Sequence, residues 1–339
     1  MKKFLKAFFG LVVLALLVFF AGPTVEAPII EKPLPEMEVA LEELPAWVAA
    51  QNAAFPNIKT DNESRLVFAD SIPQQTDYAI VYLHGFSGST ADGAPVHLEV
   101  AKVMGANIYL PRLYAHGLAT DEGLLEYTGE KSLDSAREAL AVGKLLGKKV
   151  ILMGTSTGCT LALAIAAAHP ELAALVLYAP NIRINHPLDF VATLPWGLQI
   201  IRQVEGGLYH EMQQPSETKK HYWTTKYRLE APVQMQKLLE TAMIPETFNK
   251  VTVPVFSGFY YKNEAEQDPV VSVAAMREMF KNLGTPNDLK QEQAFPNAGA
   301  HEIASALVTT NHQEVKIATL DFLQRILNYA DKNNQAEQD

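Results

Sequence analysis

The sequence reads as an α/β protein built on a mostly parallel sheet with helices on both faces. Short unbroken apolar runs recur at residues 79–83 (AIVYL), 106–110 (ANIYL), 150–153 (VILM) and 172–178 (LAALVLY). Stretches of helical spacing separate them, at 96–104, 133–146 and 159–168. The runs lack the apolar–polar alternation of a half-solvated sheet, and strands covered on both faces are the ones that read as continuous apolar runs.

In chain order, 64–69 is a candidate strand and 79–83 a strong one, followed by a Gly/Ser loop. Helix 96–104, strand 106–110 and helix 133–146 come next, the last ending at Gly147. Strand 150–153 leads into an Ala-rich helix that His169-Pro170 stops, and strand 172–178 follows. Later strands fall at 253–259 and 289–295, and the final helix at 315–329. Residues 181–250 break this rhythm, carrying Trp196, Tyr222 and Trp223 with no clear strand. They are expected to form a helical lid over the carboxyl ends of the strands, where open α/β sheets place ligands. Ordinary packing helices away from substrate are the plainer alternative. The expected organisation is therefore a leader at 1–27, a Pro-rich acidic tether at 28–63 with a short helix near 37–51, a core at 64–180 and 251–330, the lid at 181–250, and a polar tail at 331–339.

Hydrophobic residues make up 48% of the 339 and charged residues 19%, which fits a globular enzyme rather than a disordered chain. The formal net charge of -10 argues against nucleic acid as a partner, because phosphate binding needs clustered Lys and Arg. The one cysteine, Cys159, cannot form an intrachain disulfide and so does not decide the redox compartment. At the N-terminus Lys2, Lys3 and Lys6 precede the apolar run 7–22. As a helix that run would span roughly 24 Å against a hydrocarbon core of about 30 Å. Val25-Glu26-Ala27 resembles a small-x-small cleavage site, but Pro28 would follow the cut. A secretory signal and an uncleaved membrane anchor both remain open, with a buried core helix as the bland alternative. In the first two cases the lysines favour a cytoplasmic N-terminus and an extracytoplasmic body, periplasmic or secreted if cleaved and membrane-anchored if not. No lipid-acceptor cysteine follows the run.

Gly154-Thr155-Ser156-Thr157-Gly158 fits G-x-S-x-G and lies between a strand and a helix, the context that pattern requires. So tight a turn strains the serine backbone, and glycines two residues either side remove clashing β-carbons. Ser156 is the candidate nucleophile, and a serine hydroxyl needs a base. In a fold of this kind the base lies on the loop after the last strand, and of nine histidines only His301 and His312 lie near that end. His301 directly follows strand 289–295 in a Gly/Ala loop, whereas His312 sits among helical sequence. The base in turn needs a carboxylate to fix its tautomer. Asp268 follows strand 253–259, and Pro269 forces it out of helical geometry; Glu264 and Glu266 are rivals. His84-Gly85-Phe86-Ser87-Gly88 follows strand 79–83, and the backbone N–H groups of Phe86 and Thr157 are the expected oxyanion donors. His84 is expected to be structural, and Cys159 a packed residue rather than a nucleophile.

With these segments and Pro111-Arg112-Leu113-Tyr114-Ala115-His116-Gly117, the chain resembles the α/β-hydrolases of the monoacylglycerol lipase and carboxylesterase group from about residue 79 to 327. The order Ser, Asp, His matches the family order. The resemblance implies an eight-stranded sheet, a lid between the sixth strand and the strand before the acid, and ester hydrolysis through an acyl-enzyme with no cofactor. Cys159 stands where many relatives have glycine. Ser156 argues against epoxide and haloalkane chemistry, which need an aspartate nucleophile. Metal-ligand motifs, a phosphate-binding loop and a dinucleotide fingerprint are absent. Trp196 and Trp223 could wall an apolar acyl pocket for lipid-like esters or form the lid's own core. The same triad would also serve a thioesterase, an aminopeptidase or a carbon–carbon bond hydrolase, and a non-catalytic binding protein is the reading from another class.

Overall fold

The computed structural model describes residues 1–328, so the tail expected at 331–339 and Tyr329 of the expected last helix lie outside the described residues. The chain opens with helix α1 (Lys2–Phe20) and passes through a 3-10 turn into α2 (Leu44–Ala53) and strand β1 (Arg65–Val67). There follow β2 (Thr76–Leu83), α3 (Val96–Met104), β3 (Asn107–Leu110), α4 (Gly129–Leu146), β4 (Gly147–Thr155), α5 (Thr157–Ala166) and β5 (Ala174–Tyr178). An insertion holds α6 (Gly197–Glu205), β6 (Tyr209–Glu211), α7 (Glu217–Tyr222), β7 (Lys226–Arg228), α8 (Glu230–Ala242) and α9 (Pro245–Lys250). The chain then returns through β8 (Val255–Phe259), a small hairpin of β9 (Tyr261–Asn263) and β10 (Glu266–Gln267), α10 (Val273–Asn282), β11 (Lys290–Ala294) and α11 (His312–Leu327).

The main sheet runs β1-β3-β2-β4-β5-β8-β11. All its pairings are parallel except that of β1 with β3. Among the described residues it has seven strands, not the eight implied by the resemblance. The chain before β1 carries Pro28, Pro33, Pro35, Pro45 and Pro56, which cannot donate to a ladder.

The apolar runs follow from two cores. Successive strand residues point to opposite faces. Ala79, Val81 and Leu83 of β2 join Leu133, Leu140 and Leu161 on one side. Ile80 and Tyr82 join Val96 and Val100 of α3 and Phe322 of α11 on the other. Both faces of the central strands are buried, so both sets of positions favour apolar side chains. The edge strand β11 (KQEQA) is half-exposed, and its Lys and Glu discourage edge pairing.

Two expectations need correction. Residues 28–63 do not behave as a loose tether. Pro28 is buried, and Arg137 of α4 donates to the carbonyls of Ile29 and Ile30 at 2.7 Å each. Leu44 and Val48 are buried in the core, which makes the segment a strap. Its apolar residues are scattered among prolines, so no periodicity announced it. The insertion also contains a hairpin, β6 with β7, that the sequence did not signal. Each strand is only three residues long, too short for alternation to register. Helix α1 buries none of its residues, which removes the core-helix alternative. Its 19 residues include Lys2, Lys3 and Lys6, and the apolar part after Lys6 spans about 21 Å against a hydrocarbon core of about 30 Å.

Leu44→Ala should destabilise the chain by about 2–5 kcal/mol in urea unfolding, the usual cost of deleting a fully buried leucine. A loose tether would give no change.

Candidate active site

β4 runs into α5 with one residue between them. That residue, Ser156, has φ +55° and ψ −120°, a conformation that costs a non-glycine residue about 1–3 kcal/mol. Its N–H donates to Tyr178 O at 2.9 Å, tying the turn to β5. A β-carbon at 158 would lie 1.9 Å from Leu83 O, and one at 154 would lie 2.9 Å from the same oxygen. Both glycines are therefore required by contact with the end of β2. Ser156 is buried apart from 8% of its surface and stands at the N-terminus of α5.

The loop after β2 is fastened on both sides of Phe86. The Gly85 N–H donates to Asp92 Oδ2 at 2.7 Å, and the Ser87 N–H to His116 Nε2 at 3.1 Å. His84 is wholly structural: its Nδ1 donates to Gly85 O at 2.9 Å and its Nε2 accepts from Leu113 N at 3.1 Å. Burial lowers the pKa values of both imidazoles, that of His116 to about 4, so both stay neutral and keep these tautomers. Among the described residues neither the Phe86 N–H nor the Thr157 N–H makes a hydrogen bond. The two expected oxyanion donors are thus unpaired, the neighbours of Phe86 are fixed, and both residues line the same cavity as Ser156.

Asp268 is fully buried. Its Oδ1 accepts from the N–H groups of Val270 (2.8 Å) and Val271 (3.0 Å), and its Oδ2 accepts from His301 Nδ1 at 2.7 Å. The rivals Glu264 and Glu266 are exposed on the β9–β10 hairpin, where Glu266 bonds Lys262 and Asn263. His312 begins α11 and donates to Thr309 O. His301 Nε2 is buried and meets no partner among the described residues, and it is not hydrogen-bonded to Ser156. Catalytic hydrogen bonds are often loose without substrate.

Ser156 and His301 line one cavity of about 310 Å³ with Phe86 and Thr157. Trp223, Met212, Tyr227 and Met235 of the insertion supply its apolar wall. Trp196 does not line this cavity; it caps the N-terminus of α6 on the outer side of the insertion, and its N–H donates to Pro23 O at 3.1 Å. Cys159 is fully buried with its thiol on Gly154 O, and burial pushes its pKa well up, so it is inert.

Three charged residues at the site were not singled out from the sequence. Asp92 takes the Tyr82 hydroxyl at 2.5 Å as well as the Gly85 N–H, and burial raises its pKa to about 7. Glu302, next to His301, pairs with Lys219 of α7 at 2.6 Å. Burial opposes its ionisation, but His301 and Lys219 hold its carboxyl below the ordinary range. For His301, burial alone would lower the pKa, but Asp268, with Glu302 and Asp92, raises it above the ordinary 6.5. Only the three-dimensional arrangement brings these charges together, since neither Asp92 nor Lys219 lies in a recognisable motif.

Gly158→Ala should destabilise the fold by more than about 3 kcal/mol, because a backbone carbonyl rather than a flexible side chain occupies the space. Cys159→Ala, next along the helix, should cost about 1 kcal/mol. Urea melts of the two variants measure the difference.

The sequence model of the alpha/beta hydrolase family matches residues 80–315. No curated protein matches the sequence. Among solved structures, the chain is similar to one from a study of LipS and LipT, two metagenome-derived lipolytic enzymes, at TM-score 0.62 and 16% identity over 79% of this chain and 99% of that one. It is similar to the monoacylglycerol lipase of Paleococcus ferrophilus at TM-score 0.55 and 16% identity, covering 77% and 97%. It is also similar to Est1E of Butyrivibrio proteoclasticus, solved with ferulic acid bound, at TM-score 0.53 and 16% identity, covering 80% and 99%. At these identities the structural likeness speaks to the fold, and the family match spans more than two thirds of the chain. The chain belongs to the alpha/beta hydrolase family.

Proposed function

We propose that the protein is a serine hydrolase that cleaves carboxylic esters through an acyl-enzyme on Ser156. The observation that carries this reading is the convergence, in one cavity, of a strained serine at a helix N-terminus, an imidazole held by a buried aspartate, and two unpaired amides beside the serine. Ser156 Oγ attacks the ester carbonyl while His301 Nε2 takes its proton. The oxyanion is received by the N–H groups of Phe86 and Thr157, where loss of one such donor typically costs about 100- to 1000-fold. His301, now imidazolium and stabilised by Asp268, protonates the leaving alcohol. A water then attacks the acyl-enzyme, again through His301, and frees the acid and Ser156. The recurrence of lipolytic enzymes and esterases among the similar structures agrees with this chemistry.

The cavity wall of Trp223, Met212, Tyr227 and Met235 favours an apolar acyl group, as in lipid-like or monoglyceride esters. Helix α1 supports an extracytoplasmic enzyme held to the membrane. Its apolar composition and its N-terminal lysines fit an anchor with a cytoplasmic N-terminus.

Steady-state hydrolysis of a p-nitrophenyl ester series tests the chemistry. Ser156→Ala should abolish turnover, and Asp268→Asn should lower kcat by about 10⁴ by imposing the wrong tautomer on His301. Turnover retained in Ser156→Ala would refute the assignment.

The pH profile tests the base. Turnover requires neutral His301, and its pKa is raised, so kcat/KM should rise along an acid limb centred above 6.5. Glu302→Gln removes a negative charge that favours the imidazolium, and the limb should move to lower pH. An unmoved midpoint in that variant would show that His301 is not the titrating group.

A further inference from the structure

The outer side of the insertion carries apolar residues that neither the fold nor the catalytic cavity uses. Trp196, Ile200 and Val204 recur every fourth residue along α6, which puts them in one stripe on one face of the helix. They are 36%, 38% and 80% exposed, and Phe190 (50%) and Leu194 (37%) adjoin them in sequence. So much exposed apolar surface beside a functional site marks an interaction surface.

The contacts of Trp196 indicate what covers it. Its indole N–H donates to Val18 O of α1 at 3.1 Å, and its backbone N–H donates to Pro23 O. The stripe therefore starts where α1 ends. A spanning α1 places its C-terminal end at the membrane–water interface, and tryptophan is a side chain enriched there. The anchor has little room to swing away. Pro28 is buried in the body, and only residues 21–27 separate it from the end of α1, a reach of at most about 25 Å.

We propose that the Trp196–Ile200–Val204 face of the insertion is a bilayer-docking surface, seated on the membrane that α1 spans. The proposal rests on the reading of α1 as a retained anchor. It also has a consequence for substrate entry. Ile200 and Val204 also line a second, mainly apolar cavity of about 400 Å³ that is open at the surface of the insertion. Its inner wall, Ile184, Tyr227 and Pro232, also lines the cavity of Ser156. Docked this way, an acyl chain leaving the bilayer meets the lid cavity first and is separated from the catalytic cavity by one layer of side chains.

The full-length protein reconstituted in phosphatidylcholine vesicles, with and without bromine on the acyl chains, tests the surface directly. Bromolipid should quench a substantial part of the tryptophan emission of the parent, and Trp196→Phe should remove that quenched component, leaving Trp47 and Trp223 unquenched. Absence of quenching in the parent, or quenching that survives in Trp196→Phe, overturns the proposal. A second arm uses turnover. The variant Trp196→Asp, at a residue that lines neither cavity, should lose at least about tenfold on a long-chain monoacylglycerol presented in the vesicles. It should keep parent activity on a soluble short-chain ester, and an equal loss on both substrates overturns docking. Quenching does not depend on catalysis, so it decides the surface even if no ester is turned over. N-terminal sequencing of the protein purified from cells separates the anchor from the surface. Retained α1 with unquenched Trp196 overturns the surface alone, and a mature chain lacking α1 overturns both.

Discussion

The approach of Gly158 to the carbonyl of Leu83 is the contact on which the rest of the site depends. With no β-carbon at 158, α5 starts directly against the end of β2. That closeness forces the chain to turn at a single residue, so Ser156 takes its strained conformation. It also places the loop that leaves β2 beside the serine, where a β-carbon at 85 would lie 3.1 Å from that of Ser156. Strain at a functional residue persists only when the surroundings over-determine it, and here they do so through parallel pairing of β4 with both β2 and β5.

Around that contact the protein fixes groups before any substrate arrives. Gly85 and Ser87 are tied to Asp92 and His116, and Phe86 between them keeps its N–H unpaired. Asp268 is held by two backbone amides and spends its remaining oxygen on His301. Donors fixed in advance need no reorganisation when charge develops, and that preorganisation is the main source of electrostatic catalysis. The insertion belongs to the same assembly. Thr224 N–H bonds Ser87 O at 2.7 Å, and Lys219 pairs with Glu302 beside His301. Movement of the insertion would therefore be felt at both the oxyanion loop and the base loop.

Much of this was legible in the sequence because it follows from local rules. The apolar runs gave the central strands, since two buried faces favour apolar side chains at every position. The glycine spacing around Ser156 pointed to the turn, and Pro269 and Gly299 pointed to the loops that bring Asp268 and His301 together. What escaped reading depends on contacts between distant segments. The strap from Pro28 to Ala53 is held by Arg137, 107 and 108 residues from the carbonyls it binds, and by the burial of Leu44 and Val48 in the core, and nothing in its own pattern foretells that. Asp92 and Glu302 acquire meaning only from what lies above them. Trp196 looked like a pocket residue because it is aromatic and lies in the insertion, but the N-terminus of α6 turns it outward to the end of α1.

The most direct measurement of the central claim is covalent. The full-length protein in mild detergent is reacted with a fluorescent fluorophosphonate, and the adduct is located by peptide mass mapping. The account predicts a single adduct on Ser156, formed in the folded protein and not in protein denatured before the probe is added, because only a serine with a paired imidazole and oxyanion donors reacts quickly. A folded protein that stays unlabelled, or that is labelled at another serine, would contradict it.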